Sequence, residues 1–274
     1  MLSQADLHVH STASDGKLTP AEVVTLAVSR GLRLLALTDH DTTHGYAEAG
    51  AQARHANIRV IAGVEINTDS SLGEAHLLGY FSDPEQPTLQ AVLSKIRTER
   101  LNRAEKMVTK LNELGVPITL GQVLAQASHR GLGRPHIARA LVAGGWVASV
   151  PMAFELYLGS GKSAYVPRYA FSPAEAIRLI RSAGGVASLA HPVRSGSEKH
   201  LPRLVDVGVN AVEAYYYDHT PDDVARLRKL AGHYGLLCTG GSDFHGVHAD
   251  SRRGLGSVWV PEEDGERLWK EIAG

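Results

Sequence analysis

Short apolar runs that end in histidine or a carboxylate recur along this chain, and they constrain its fold more than any other feature. In the first run, Ala5–His10, His8 and His10 stand two residues apart. Alternate side chains of a strand point to the same face, so this spacing presents two imidazoles to one point. Nitrogen and carboxylate donors gathered in this way suit a cluster of divalent metals. The sequence therefore predicts a hydrolase whose metals activate water.

Strand-like and helical segments alternate in both halves of the chain. Capping boxes at Thr19–Glu22 and Ser172–Glu175 predict helix starts, and Thr220-Pro221 opens a further helix that Gly235 closes. Such alternation, with polar residues at the strand ends, indicates an α/β barrel or a doubly wound sheet. Because a barrel brings those strand ends to one mouth, we favour an irregular barrel of about seven strands. The predicted strands are Ala5–His10, Leu34–Thr38, Arg59–Glu65, Ala75–Tyr80, Val186–Ala190, Ala211–Ala214 and Leu236–Gly240, with a short final strand at Val258–Val260.

The middle of the chain interrupts this alternation. Residues 97–170 read as helical, beginning with a long charged helix over Thr88–Leu114. Between Arg97 and Arg168 stand ten basic and four acidic residues, a net charge of +6 in a chain of net charge −1, so the remainder carries −7. We therefore predict a discontinuous barrel, 1–96 and 171–274, with a basic helical insertion at 97–170. The basic charge is suited to an anionic substrate, although a solvated helical face is the alternative.

Composition limits the setting in which the protein works. Hydrophobic residues make up 43% and charged residues 21% of the chain, which is typical of a globular protein. The single cysteine, Cys238, excludes an internal disulfide framework. There is no apolar run of membrane-spanning length and no recognisable secretory signal. We expect a cytoplasmic protein without a membrane or an obligate protein partner.

Several further residues complete the set of possible metal ligands. Glu65 and His76 each interrupt a strand-like run, where burying a charge or an imidazole is costly without a partner. Asp39 is expected to orient a neighbouring group rather than to bind metal. Glu213 either belongs to the site or makes a buried hydrogen bond. The predicted catalytic and metal-ligating residues are His8, His10, Asp15, His40, Glu65, His76, His191, Asp243 and His245.

The order of these motifs resembles that of the polymerase and histidinol phosphatase (PHP) family. The matching segments lie in both halves of the chain and leave out the insertion: Asp6-Leu7-His8-Val9-His10-Ser11, Thr38-Asp39-His40-Asp41, Gly63-Val64-Glu65, Ala190-His191-Pro192 and Gly241-Ser242-Asp243-Phe244-His245. The resemblance implies a distorted (β/α)7 TIM-like barrel that holds two or three divalent metals. Manganese is expected, with zinc or iron as alternatives.

The resemblance also divides the ligands among three metals. It implies one metal at His8, His10, Glu65 and Asp243. A second metal would lie at Asp15, His40 and His245. Glu65 would bridge to a third metal, held also by His76 and His191.

The insertion resembles one branch of the family. Gly133-Arg134-Pro135-His136-Ile137 and the segment Tyr157–Val166 are similar to those of nucleoside 3′,5′-bisphosphate phosphatases and related 5′→3′ exoribonucleases. By that resemblance Arg134 and His136 hold a substrate phosphate. Lys162, Arg168 and Arg194 are weaker predictions for the same task.

Removal of the 3′-phosphate from a nucleoside 3′,5′-bisphosphate is the leading functional hypothesis. The alternative enzyme is a 5′→3′ exoribonuclease acting on short 5′-phosphorylated RNA. A histidinol-phosphate phosphatase is disfavoured, because a small cationic substrate does not require a basic insertion. A non-catalytic nucleic-acid-binding protein is disfavoured by the filled ligand set.

Overall fold

A computed structural model describes residues 4–70, 73–126, 132–246 and 252–274, and its centre is a seven-stranded sheet. Most of its strands are buried on both faces, in agreement with their near-continuous apolar runs. The strands are β1 (Ala5–Val9), β2 (Leu34–Leu37), β3 (Arg59–Ser70), β4 (Gly73–Phe81), β5 (Val186–Leu189), β6 (Ala211–Tyr216) and β7 (Leu237–Gly241).

The strands lie in chain order and form a nearly closed barrel. β1, β2 and β3 are parallel, as are β5, β6 and β7, whereas β4 pairs antiparallel with both β3 and β5. Only two residues separate β3 from β4, too few for a crossover helix, so the two strands must run in opposite directions. A bridge between Val9 and Phe244 joins the two ends of the sheet. The predicted distorted seven-stranded barrel is confirmed, and β4 is the source of its irregularity.

A glycine permits the close approach of β7 to β1. A Cβ atom on Gly241 would lie 2.4 Å from the His8 backbone nitrogen and 2.6 Å from an Asp6 carboxylate oxygen. No side chain fits in that space, so glycine is required where the barrel closes.

The helices begin where their capping residues predict. The Thr19, Ser172 and Thr220 hydroxyls each accept a backbone N–H three residues later, which confirms the three predicted starts. Gly235 ends its helix with φ +67°, a conformation that suits glycine. The helices are α1 (Pro20–Ser29), α2 (Gly45–Ala53), α3 (Pro87–Glu113), α4 (Leu120–Leu124), α5 (Arg134–Ala143), α6 (Val150–Ala153), α7 (Pro173–Ser182), α8 (Pro192–Ser195), α9 (Leu201–Val207), α10 (Pro221–Tyr234) and α11 (Glu262–Ala273), with a π-helical turn at Phe154–Leu158 and a 3-10 turn at Glu198–His200.

The predicted strand at Val258–Val260 is wrong. This segment contains a bend at Val258 and joins no strand of the sheet, and it leads directly into α11. The physical reason is that the free side of β7 is already occupied by β1. An eighth strand therefore has no edge with which to pair.

The chain divides into two compact units. The first comprises Met1–Val92 and Ala170–Gly274, and the second comprises Leu93–Tyr169. The second unit is helical and has its own apolar core, which includes Met107, Leu111 and Leu141. Within the described residues, no helix combines the length and apolarity needed to cross a membrane.

Candidate metal centre

The barrel strands bring the nine predicted ligand residues into three adjoining groups. Within each group, the nitrogen and oxygen atoms that could bind a metal all lie within 4.8 Å of one another. The groups are His8, His10, Glu65 and Asp243; His10, Asp15, His40 and His245; and Glu65, His76 and His191.

The first group lies deepest in the barrel, where His8 and His10 are fully buried. His8 Nε2 lies 3.4 Å from Glu65 Oε2 and 3.5 Å from Asp243 Oδ1. His10 Nε2 lies 3.3 and 3.4 Å from the same two oxygens. The alternation of a strand therefore does aim both imidazoles at one point, between two carboxylates.

The second group surrounds Asp15, in the segment that follows β1. Asp15 Oδ1 lies 3.3 Å from His245 Nε2 and 3.5 Å from His10 Nδ1, and Asp15 Oδ2 lies 3.7 Å from His40 Nε2. The family resemblance implied Asp15, His40 and His245 as one set. The structure adds His10, whose two ring nitrogens face different groups.

The third group is centred on the other oxygen of Glu65. Glu65 Oε1 lies 2.7 Å from His76 Nδ1 and 3.1 Å from His191 Nε2, while Oε2 faces His8 and His10. One carboxylate thus borders two groups, which is the arrangement of a bridging ligand. His76 lies near the start of β4. Because β4 is antiparallel to its neighbours, the start of β4 lies at the same mouth of the barrel as the ends of the parallel strands.

The charges at this centre suit cations. Burial by itself raises the pKa of Glu65, but the imidazoles of His40, His76 and His8 outweigh it and hold that pKa well below its usual range. Burial has the opposite effect on a histidine and lowers the pKa of His10, but contacts with Asp243 and Glu65 raise that pKa to about 10. Carboxylates that are buried and ionised need positive partners close by.

Several buried ring nitrogens that point into the centre have no hydrogen-bond partner in the described part of the chain, as expected of metal ligands. His8 Nε2 and both ring nitrogens of His10 are buried and have no hydrogen-bond partner within the described residues. Buried polar atoms are normally satisfied, so unmatched nitrogens among carboxylates indicate ligand positions. The donor set of imidazole and carboxylate therefore fits divalent metals such as manganese, zinc or iron.

Carboxylates around the centre hold its backbone segments. Asp39 accepts hydrogen bonds from the Ser11 amide and hydroxyl and from the Ser14 hydroxyl, at 2.6 to 2.8 Å. The supporting role predicted for Asp39 thus takes the form of holding the segment that carries Asp15. Asp6 accepts bonds from the Ser242 amide and hydroxyl, next to Asp243.

Sequence reasoning predicted Arg194 but missed the two tyrosines and the second arginine that cluster with it beside the centre. The Tyr216 hydroxyl donates to Asp243 Oδ2 at 2.8 Å. The neighbouring Tyr217 hydroxyl accepts hydrogen bonds from both Arg194 and Arg253. Tyr216 ends β6 (Ala211–Tyr216) and Tyr217 follows it, whereas we ended the predicted strand at Ala214. A longer predicted strand would have brought both tyrosines to the mouth.

The other predicted substrate-binding residues lie in the helical unit, where Arg134 and Arg168 are half-buried and Lys162 is exposed. His136 is buried, and its Nδ1 accepts the Gly133 N–H at 3.0 Å, so this nitrogen serves as a helix cap. A phosphate contact by His136 would require its other ring nitrogen.

Arg103 is a further basic residue that the sequence analysis did not single out. Its guanidinium and that of Arg134 lie 5.9 and 5.7 Å from the centre of the Tyr165 ring. Burial, followed by the charges of Arg134 and Arg168, lowers the pKa of Arg103 to about 10. One terminal nitrogen of Arg103 is buried without a hydrogen-bond partner in the described part of the chain. Guanidinium groups that lie close together, one of them with an N–H donor that has no described partner, favour the binding of an anion between them.

Comparison with known proteins identifies the family. The PHP domain profile matches residues 6–114. The chain is 37% identical over 277 residues to a 3′,5′-nucleoside bisphosphate phosphatase of Chromobacterium violaceum, an alignment that covers 99% of this chain and 97% of the relative. The chain belongs to the PHP family.

Two other PHP relatives extend the comparison. A 5′-3′ exoribonuclease of Haemophilus influenzae is 38% identical, over 89% of this chain and 91% of its own length. The crystal structure of a Bifidobacterium adolescentis protein assigned to the metal-dependent phosphoesterases superposes with a TM-score of 0.83 at 32% identity, covering 97% and 96% of the two chains. These findings confirm the predicted family, the barrel fold and the enzyme class: this PHP protein is a metal-dependent phosphoesterase.

Proposed function

We propose that this PHP protein removes the 3′-phosphate from nucleoside 3′,5′-bisphosphates, giving a 5′-mononucleotide and phosphate. The observation that carries the proposal is the set of three ligand groups that adjoin at His10 and Glu65. A cluster of this kind suits phosphoester hydrolysis, because such substrates need positioning and charge neutralisation more than covalent chemistry. The similarity to the Chromobacterium violaceum phosphatase supports this choice of substrate.

The proposed ligands follow the three groups, with two or three divalent ions and manganese as the expected metal. When bound, such ions lower the pKa of a coordinated water and neutralise charge on phosphoryl oxygens. His8, His10, Glu65 and Asp243 would hold one ion. Asp15, His40 and His245 would hold a second, and His76 and His191 would hold a third together with Glu65.

The reaction is attack of water on the 3′-phosphorus, with cleavage of the bond to the ribose 3′-oxygen and protonation of that oxygen. Tyr216 donates to Oδ2 of Asp243 and so holds the carboxylate with Oδ1 facing His8 and His10, the orientation of a metal ligand. Arg194, which lies in α8 three residues after His191, would contact phosphate oxygens.

The helical unit supplies the proposed site for the second phosphate. Arg134 and Arg168 carry the charge, with Lys162 and His136 in supporting contacts, and Arg103 adds a buried donor. Guanidinium groups bind phosphate through paired hydrogen bonds, which also fix its orientation. A basic site of this kind selects bisphosphates over monophosphates.

A 5′→3′ exoribonuclease activity is the second candidate. The Haemophilus influenzae relative supports it, since its identity to this chain matches that of the phosphatase. The same centre could cleave a diester, and the same basic unit could bind an RNA backbone.

The deciding experiment loads metal-stripped protein with manganese and compares two substrates. Phosphate release from adenosine 3′,5′-bisphosphate is measured beside trimming of a short 5′-phosphorylated RNA. Fast release with slow trimming supports the phosphatase, whereas efficient stepwise trimming makes the exoribonuclease primary. H191A and D243A should each lower turnover at least about a thousandfold in folded protein, and near-wild-type activity in either would contradict the ligand assignment.

A second test addresses phosphate recognition by the helical unit. R103Q should raise KM for the bisphosphate about tenfold or more with little change in kcat, because a charge-assisted hydrogen bond contributes about 1.5–3 kcal/mol. The matched control is R139Q, which removes an exposed arginine from the same helix that carries Arg134. An equal rise in KM for a simple phosphate monoester would contradict the second-phosphate role.

A further inference from the structure

Glu213 is a fully buried carboxylate on β6 that contacts two separate parts of the metal centre. Its side chain has 0% exposure. Oε1 lies 2.9 Å from His8 Nδ1, and Oε2 accepts the backbone N–H of His191 at 2.6 Å. One side chain therefore joins β1 to the segment that follows β5.

The contact with His8 determines which ring nitrogen is free. A carboxylate can only accept hydrogen bonds, so His8 Nδ1 must carry the proton that it receives. Nε2 is then the nitrogen that faces Glu65 and Asp243, and it has no hydrogen-bond partner among the described residues. In the neutral imidazole that binds a metal, Glu213 thus leaves Nε2 as the unprotonated nitrogen that faces the centre.

The contact with His191 supports an unusual backbone. His191 has φ +29° and ψ +56°, close to the left-handed region that side-chain-bearing residues rarely adopt. A residue held there costs about 1–3 kcal/mol unless its surroundings over-determine the conformation. The short bond to Glu213 holds the His191 amide while the ring lies 3.1 Å from Glu65.

We propose that Glu213 is a positioning residue that couples two of the three metal groups, one through the tautomer of His8 and the other through the backbone of His191. It makes no described contact with the side chains of Asp15, His40 or His245. The inference rests on the proposed ligand assignment. Its consequence is that loss of Glu213 weakens two metal sites together and spares the site built around Asp15.

Only a carboxylate can make both contacts while the proton of His8 stays on Nδ1. Glutamine has the same shape but offers one acceptor oxygen and one donor amide group. If its oxygen faces the His191 N–H, its amide opposes the Nδ1–H of His8. If the amide group turns round, it opposes the His191 N–H instead. E213Q therefore either loses one of the two contacts or moves the His8 proton to Nε2, the nitrogen that faces the metal site, and either change weakens binding there.

The test is manganese binding to metal-stripped protein, with free Mn²⁺ counted by electron paramagnetic resonance. We expect E213Q to lose about 10- to 100-fold in affinity at the coupled sites, the usual effect of removing a group that orients a metal ligand. Tight binding at the site around Asp15 should remain and should disappear when H245A is added. D264N is the matched control, because Asp264 is another buried carboxylate and accepts one hydrogen bond, from Tyr215 at 2.7 Å.

A second measurement uses the wild-type protein and does not depend on the folding of a variant. In zinc-loaded protein with ¹⁵N-labelled histidine, the signal assigned to His8 should show a protonated Nδ1. A protonated Nε2, or manganese binding by E213Q equal to that of wild type, would overturn the inference. Uniform weakening of all sites would reduce Glu213 to a structural residue and would overturn it as well. If wild-type protein binds no metal, the ligand assignment fails first.

Discussion

Individual residues at the mouth of the barrel adopt backbone conformations that their types do not favour. In the described ranges, the non-glycine residues with positive φ are Asp41, His191 and Asp243. Each lies in the segment directly after a parallel strand, and each is a predicted ligand or adjoins one. Strain of this kind is retained where the surrounding structure holds a side chain in a required direction. Its presence at these positions is consistent with a functional centre rather than with a merely structural cluster.

The backbone strain at His191 can be measured by comparing two substitutions. Both H191G and H191A remove the imidazole, but only glycine accommodates φ +29° without steric cost. A non-glycine residue in this region loses about 1–2 kcal/mol, whereas glycine costs about 0.5–1 kcal/mol through the unfolded chain. We therefore expect H191G to have the larger free energy of unfolding, by roughly 0.5–1 kcal/mol.

The measurement is urea unfolding of metal-stripped protein. G208A is the control and makes the opposite change, from glycine to alanine. Gly208 also has positive φ, but it lies at the end of α9, away from the centre. An H191A variant as stable as H191G, or more so, would contradict the assignment of strain.

Among the secondary-structure elements, α5 has in its first turn a histidine, His136, that could serve either as a helix cap or as a phosphate ligand. The sequence predicts a helix start at Arg134-Pro135-His136 and assigns His136 to substrate phosphate. In the structure His136 stands three residues after Gly133 and accepts its N–H. That is the position at which glutamine or glutamate completes a capping box. Capping therefore explains at least part of the residue's presence.

Substitution of His136 separates these roles. H136Q keeps an acceptor at the capping position and should retain stability, whereas H136A should lose about 1 kcal/mol of unfolding free energy. If His136 also binds phosphate, both variants should raise KM for the bisphosphate by a similar factor. Urea unfolding and steady-state kinetics measure the two effects. A wild-type KM in H136Q would leave capping as the only role of this side chain.

Over the whole molecule, the predicted ligands come from almost every part of the barrel. His8 lies on β1, Glu65 on β3 and His76 on β4, while His40, His191 and Asp243 follow other strands. Ions bound between them would link segments far apart in the chain. Binding to the folded state alone raises its stability by about 2.7 kcal/mol at a hundred times Kd. Metal should therefore stabilise the entire barrel.

Chelation provides the corresponding test. We expect metal-stripped protein to gain at least about 5 °C in Tm when manganese is added, from the linkage energy and the usual dependence of Tm on stability. D243A should gain clearly less, because it lacks a ligand of the first group. A Tm unaffected by both chelator and metal would argue against ions bound between the strands.

Local sequence signals predicted most of the elements because their causes are local. The capping boxes at Thr19 and Ser172 satisfy their own helix ends, and the apolar runs of β1 and β2 are buried wherever the sheet packs. The direction of β4 and the lack of a strand at Val258–Val260 depended instead on which edges of the sheet were already paired. Those pairings involve residues distant in sequence.

The motifs along the chain predicted the PHP family, the barrel and the nine residues that the structure brings together, because histidines and carboxylates at strand ends have few uses other than metal binding. Tertiary structure alone decided how those residues share their atoms: both nitrogens of His10 in different groups, and both oxygens of Glu65 in different groups. It also revealed Tyr216 and Arg103, and it showed which two groups Glu213 contacts, so the significance of all three lies in their contacts. A carboxylate, a phenol or a guanidinium has no distinctive pattern along the chain, and only its neighbours in space show what it holds.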